Sequence, residues 1–134
     1  MIIAGEIQKY TFDFLKGLNI PDCDIYLNER PDIMGQHEKR KRSYVSIGLP
    51  TGIEDKGCYN IATGVITIGT KDKRDTLGLI DATEQARIAT FIKNAFPQIT
   101  EDYSMIDFMF GSDDSSSIGW TEYYYTFQIF INHN

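Results

Sequence analysis

The chain is poor in the residues on which most catalytic, metal-binding and secreted proteins depend. It has two cysteines and two histidines among 134 residues. Cys23 and Cys58 stand far apart, with no C-x-x-C partner and no nearby histidine. That pattern argues against a disulfide framework and points to a reducing compartment. His37 falls in a polar stretch and His133 close to the C-terminus, neither beside a group that could orient an imidazole for catalysis. No Gly-Lys-Ser/Thr loop, G-x-G-x-x-G, G-x-S-x-G or H-E-x-x-H occurs, so the glycines in segments 47–52 and 61–64 read as turn glycines. Asp22, Cys23 and Asp24 put two carboxylates beside a thiol, but such a triplet is also common in turns. No catalytic, cofactor-binding or metal residue is assigned, and an enzyme is not expected.

Long apolar runs are also missing. The longest apolar-looking stretch, 123–131, is broken by Thr126 and Gln128 and is too short to span a bilayer. The opening residues, MIIAGEIQKY, have no basic start, and Glu6 interrupts the apolar stretch, so no signal peptide is expected. The expectation is a soluble intracellular chain with no membrane partner. Cations are missing from the C-terminal third: after Lys93 there is no Lys or Arg, while Glu101, Asp102, Asp107, Asp113, Asp114 and Glu122 supply the whole formal charge of −6. Clustered cations are what grip phosphate backbones, so this third should not hold nucleic acid. It suits a solvated face, or the wall of a passage to which DNA must not adhere.

Hydrophobic residues make up 42% and charged residues 24%, ordinary globular values that exclude disorder for the chain as a whole. The length suits one domain, 1–134. Aromatics, at 13%, favour strands and contact surfaces.

The spacing predicts a helix over 3–18, with Ile3, Ile7, Tyr10, Phe14 and Leu18 on one stripe and Pro21 beyond its end. A short extended piece, 24–27, and a polar loop, 28–42, follow. Residue types then predict a strand over 43–48, a turn-rich connection over 49–57 and a strand over 58–70 in which Gly64 and Gly69 mark a bulge or a close approach. Asp81 to Glu84 have the form of a capping box for a second helix, with Ile88, Ile92 and Phe96 on its apolar face and Pro97 at its end. The remainder reads as a long hairpin: one arm over 104–110, a mobile tip over 111–117, and a second arm over 119–131. On the second arm Thr121, Tyr123, Tyr125, Phe127, Ile129 and Ile131 share one face. The expected fold is α+β, in the order α-β-β-β-α-β-β, with a mostly antiparallel sheet and two helices on one face. The other face, with its aromatics, must then meet solvent or a partner.

Three groups are candidates for that contact. Lys39, Arg40, Lys41 and Arg42 form the sharpest charge cluster, suited to an acidic partner, to a phosphate, or to plain solvation. Asp113 and Asp114 sit in the expected tip. Trp120 and Tyr124 fall on the uncovered face, and Trp and Tyr bury much area with few rotors.

The order of elements resembles that of the tail-terminator (tail-completion, minor capsid) proteins of long-tailed bacteriophages. The features that carry the resemblance are an N-terminal amphipathic helix, a short strand with Ile25-Tyr26, a polar loop leading into Tyr44-Val45-Ser46-Ile47-Gly48, a further strand, a helix rich in Ala, Ile and acidic residues, and a long terminal hairpin. The resemblance implies a structural virion protein without cofactors, made in the host bacterial cytoplasm. It would form a ring, usually a hexamer in that family, that caps the tail tube and joins it to the head connector. The tail tube protein and the head–tail connector protein would be its partners, and genomic DNA would pass through without being specifically bound. The alternatives are another neck component (a head–tail stopper or connector ring protein) and a small-ligand-binding regulatory α+β domain.

Overall fold

The computed structural model describes residues 4–27, 43–71, 82–117 and 120–132, with only the backbone for 113–117. The elements in chain order are α1 (Ala4–Gly17), β1 (Cys23–Leu27), β2 (Ser43–Ile47), β3 (Thr51–Asp55), β4 (Tyr59–Lys71), α2 (Ala82–Lys93), β5 (Gln98–Ile99), β6 (Tyr103–Ser117) and β7 (Trp120–Asn132). The class is α+β. The strands form one sheet in the order β1-β2-β4-β7-β6-β5, with β3 pairing β4 beside β2. Among the described strands only β1 and β2 pair in parallel.

Two segments differ from the sequence expectation. Segment 49–57 was expected to be a turn-rich connection, but Thr51–Asp55 is a strand. It is exposed along its whole length, so no buried alternation marks it, and its pairing with the first residues of β4 imposes the extended backbone. Gly52, at φ +60°, sits where its register slips. Segment 111–117 was expected to be a mobile tip, but it continues β6. Ser112 pairs with Tyr124, Asp113 with Tyr123, Asp114 with Glu122 and Ser117 with Trp120. Ser, Asp and Gly are poor strand formers, and the backbone ladder of β7 overrides that preference. The element order therefore gains β3 and the two-residue β5.

α1 buries Ile7, Phe14 and Leu15 and ends near Asn19, whose left-handed φ of 52° suits the residue just past a helix. α2 buries Ile88 and Ile92. These side chains join one core cluster with Val45 and Ile47 of β2, Ala62, Ile66 and Ile68 of β4, and Tyr123, Tyr125, Phe127, Ile129 and Ile131 of β7. Each fully buried aliphatic or aromatic side chain contributes about 1.5–3 kcal/mol relative to exposure. β4 and β7 run antiparallel in unbroken register from Tyr59↔Asn132 to Lys71↔Trp120, so alternate residues of both strands share the core face.

Gly64 and Gly69 do not mark bulges, since the register runs straight through both. Each makes room for a neighbouring strand's ring. A methyl group on Gly64 would overlap Phe127 on the core face, and one on Gly69 would overlap Tyr44 on the other face.

Glu84, expected to be the carboxylate of a capping box, is buried against β2 and its own helix. Ser43 Oγ donates to its Oε2 at 2.6 Å, and Arg87 Nε donates to its Oε1 at 2.6 Å. Arg87 also donates to the Pro21 carbonyl at 2.8 Å, which ties α2 to the chain entering β1. The charge on Glu84 is thus matched by a cation and a hydroxyl, as a buried carboxylate requires.

Candidate functional site

Strand alternation puts Asp24 and Tyr26 of β1, Tyr44 and Ser46 of β2, the odd-numbered residues of β4 and the even-numbered residues of β7 on the sheet face away from the core cluster. This face has two halves. At the end near Lys71 a second cluster gathers Tyr44, Trp120 and Tyr26. The Tyr44 and Trp120 rings lie 5.4 Å apart, and Lys71 Nζ sits 5.8 Å from the centre of the Trp120 ring. Tyr44 donates its hydroxyl proton to Glu122 Oε2 at 3.2 Å, and Tyr26 donates to Asp24 Oδ2 at 3.2 Å.

The other half is a plate. It comprises Tyr59, Ile61, Thr63, Val65 and Thr67 of β4, Tyr124, Thr126, Gln128 and Phe130 of β7, and Ser104 and Ile106 of β6. All of these residues are half-buried and none is charged. Gln128 donates to Thr63 Oγ1 at 3.3 Å, and the Tyr59 and Phe130 rings pair at 5.8 Å.

The expected contact residues scatter over these regions. Tyr124 lies half-buried on the plate. Trp120 lies on the same side of the sheet but is 1% exposed, because Tyr44 packs against it; it therefore offers no open surface to a partner. Asp113 and Asp114 belong to a paired strand, not a tip. Lys39, Arg40, Lys41 and Arg42 lie outside the described residues. Tyr44 and Glu122, which build the second cluster with Trp120, were not candidates. An aromatic directly across from a strand glycine, as Tyr44 is from Gly69, was the signal available for it.

On the core side, rings continue to the sheet edge. Phe96 stacks on Phe108 at 5.1 Å, Phe108 on Tyr125 at 4.8 Å, and Phe110 meets Tyr125 edge-on at 5.4 Å. Gln85 donates to the Tyr125 hydroxyl from α2. Burial raises the Tyr125 phenol above its ordinary pKa, and the Gln85 hydrogen bond partly offsets that. Tyr103 is raised mainly by burial and further by Asp13 and Asp102. An open groove of about 410 Å³ lies against this row, lined by Lys93, Phe96, Pro97, Ile106, Asp107 and Phe108. Asp107, with φ 58°, sits within the register shift between Ile106 and Met109 that turns Phe108 toward the core. Among the described residues no three metal-ligating side chains come together.

No family model matches the chain, and no curated protein does.

Proposed function

We propose that the protein is a structural assembly subunit of the tail-terminator type: a virion protein that forms a ring, hexameric by the resemblance, that caps a tail tube and joins it to the head connector. The observation that carries this reading is the uncharged plate. A sheet face that meets only water normally alternates into Lys, Glu and other strongly solvated side chains. Here three adjacent strands present Tyr, Phe, Ile, Val, Thr and Gln with no charge among them. Such a surface suits burial against protein.

The fold reading that goes with it has both helices covering one side of the sheet, so that the plate is left for a neighbour. The single core cluster shared by α1, α2 and one alternation of β2, β4 and β7 supports that arrangement. The carboxylates after Lys93, with no Lys or Arg among them, suit a lumen through which DNA passes without adhering. No catalysis enters this reading.

The test is native mass together with negative-stain microscopy of the purified protein, alone and with tail tubes. Annular particles of about six copies, seated at one end of the tubes, are expected. Binding to the portal-side ring and not to tubes would favour the head–tail stopper reading. A monomer that ignores both would overturn the assignment. Reversing the charges of Lys39, Arg40, Lys41 and Arg42 should weaken the ring if they meet the acidic end of a neighbouring copy.

A further inference from the structure

The large apolar side chains that the fold leaves exposed are not scattered. Among the described residues they are Leu27, Leu49, Ile53, Phe91, Ile99, Met109 and Phe110. All but Phe91 sort to the two opposite edges of the sheet. Leu27 ends the outermost strand β1, Leu49 joins β2 to β3, and Ile53 lies in β3, so these three follow the edge beyond β4. Ile99, Met109 and Phe110 follow the other edge, on β5 and β6. Leu49 is 63% exposed, Met109 59% and Phe110 55%.

The two edges differ in shape and match in chemistry. The β6 edge is concave: it carries the groove lined by Phe96, Pro97, Ile106 and Phe108, and Met109 and Phe110 follow Phe108 directly along the strand. The opposite edge carries apolar side chains on an exposed strand and the connection before it. The groove rim bears one charge of each sign, Lys93 and Asp107. β3 and the turn after it bear two acids and one base, Glu54, Asp55 and Lys56, with Lys56 joined to Glu54 at 2.7 Å. That exposed pair holds Glu54 below and Lys56 above its ordinary pKa, each through the other's hydrogen bond and charge, so both are ionised around neutrality. Apposed edges would set Lys93 of the groove rim against this net-acidic stretch around an apolar centre, and opposite signs across an interface favour the pairing.

The geometry points to head-to-tail self-association, in which the Leu49–Ile53 edge of one copy of this chain enters the Phe96–Phe108 groove of the next. Two different patches on one molecule make a heterologous contact. Repeated, that contact closes into a ring or grows into a filament, whereas one patch meeting itself stops at a dimer. This inference rests on the assembly reading above and names its contact. The uncharged plate, apart from Ile106 where it borders the groove, then remains free for a different neighbour along the ring axis.

The experiment uses the full chain with Cys58, an exposed free thiol, replaced by Ser; Cys23 is buried and can stay. Two single-cysteine proteins are made, Leu49→Cys and Met109→Cys, then mixed and oxidised. The mixed disulfide dimer should exceed the statistical share several-fold, and a protein carrying both cysteines should yield a covalent ladder. In parallel, Leu49→Glu and Phe110→Glu should each weaken self-association by at least about tenfold, roughly 1.4 kcal/mol. Mixed together, they should give a one-to-one pair and nothing larger, because only one competent interface remains. Both positions are exposed, so circular dichroism should match the parent, Leu49→Glu should melt with it, and Phe110→Glu should melt only slightly below it, having lost the edge-on contact to Tyr125.

A multimer that neither Glu substitution alters, with statistical disulfide yields, would overturn this contact and leave the ring reading intact. A parent that remains monomeric at all concentrations, with and without tail tubes and the portal-side ring, and gives statistical disulfide yields, would overturn both.

Discussion

The two strands of the terminal hairpin make an instructive contrast. β7 lies in the middle of the sheet, paired on one side with β4 through thirteen residues without a slip. Its burial alternates from Tyr123 to Ile131 as its sequence does. β6 is one strand from the edge of the sheet, with only the two-residue β5 beyond it. Its register with β7 shifts at three places, and its far half is built of Gly, Ser and Asp. β7 is a strand because its own side chains need a core face. β6 beyond Phe110 is a strand because β7 supplies a ladder. A central strand is thus encoded locally, while an outer strand can be encoded by its neighbour.

The largest effect should come from comparing one ring on each strand. Phe127→Ala removes a fully buried ring that meets Gly64 and Phe96, and should cost about 3–5 kcal/mol in chemical denaturation. Phe110→Ala removes a half-exposed ring with one edge-on contact to Tyr125 and should cost about 0.5–1 kcal/mol. Equal losses would erase the distinction between the strands.

Gly64→Ala should come next. The added methyl overlaps the Phe127 ring, so the substitution should cost about 1–3 kcal/mol even though alanine is the better strand residue. Combining it with Phe127→Leu should recover part of the loss, because the two changes share one space.

Alkaline titration sharpens the contrast further, since Tyr103 sits on β6 and Tyr125 on β7. Folding raises both phenol pKa values, so both contribute stability below the ordinary tyrosine pKa of about 10 and lose it as pH rises through the folded values. Stability should therefore fall in the alkaline range above that point. Tyr103→Phe and Tyr125→Phe should each flatten the fall, read from denaturation midpoints against pH; an unchanged slope in both variants would contradict the assignment.

Legibility followed local patterning. The helix stripe through Ile7 and Phe14, the alternation of β7 and the start of α2 could be read because burial imposes a period on the residues themselves. Leu15, buried beside that stripe, widened it beyond what the spacing alone suggested. β3 could not be read, since an exposed strand has no period to display. Trp120 was placed on the correct side of the sheet but was expected to be open. Its burial depends on Tyr44, which is 76 residues earlier in the chain and two strands away in the sheet. Glu84 had the form of a local cap, and the Ser43 hydroxyl, from a distant strand, makes it a tie between elements.

By itself, the order of residues determined that this is an α+β chain with a strongly alternating terminal strand, an acidic last third and no assembled catalytic motif, because each of those properties is local or a matter of counting. Tertiary structure decided which strands lie at the centre and which at the edges, which aromatics are sealed, and that the exposed apolar residues collect on two opposed margins. Those outcomes depend on strand order and register, which arise from contacts between segments far apart in the chain and leave no mark on either segment alone.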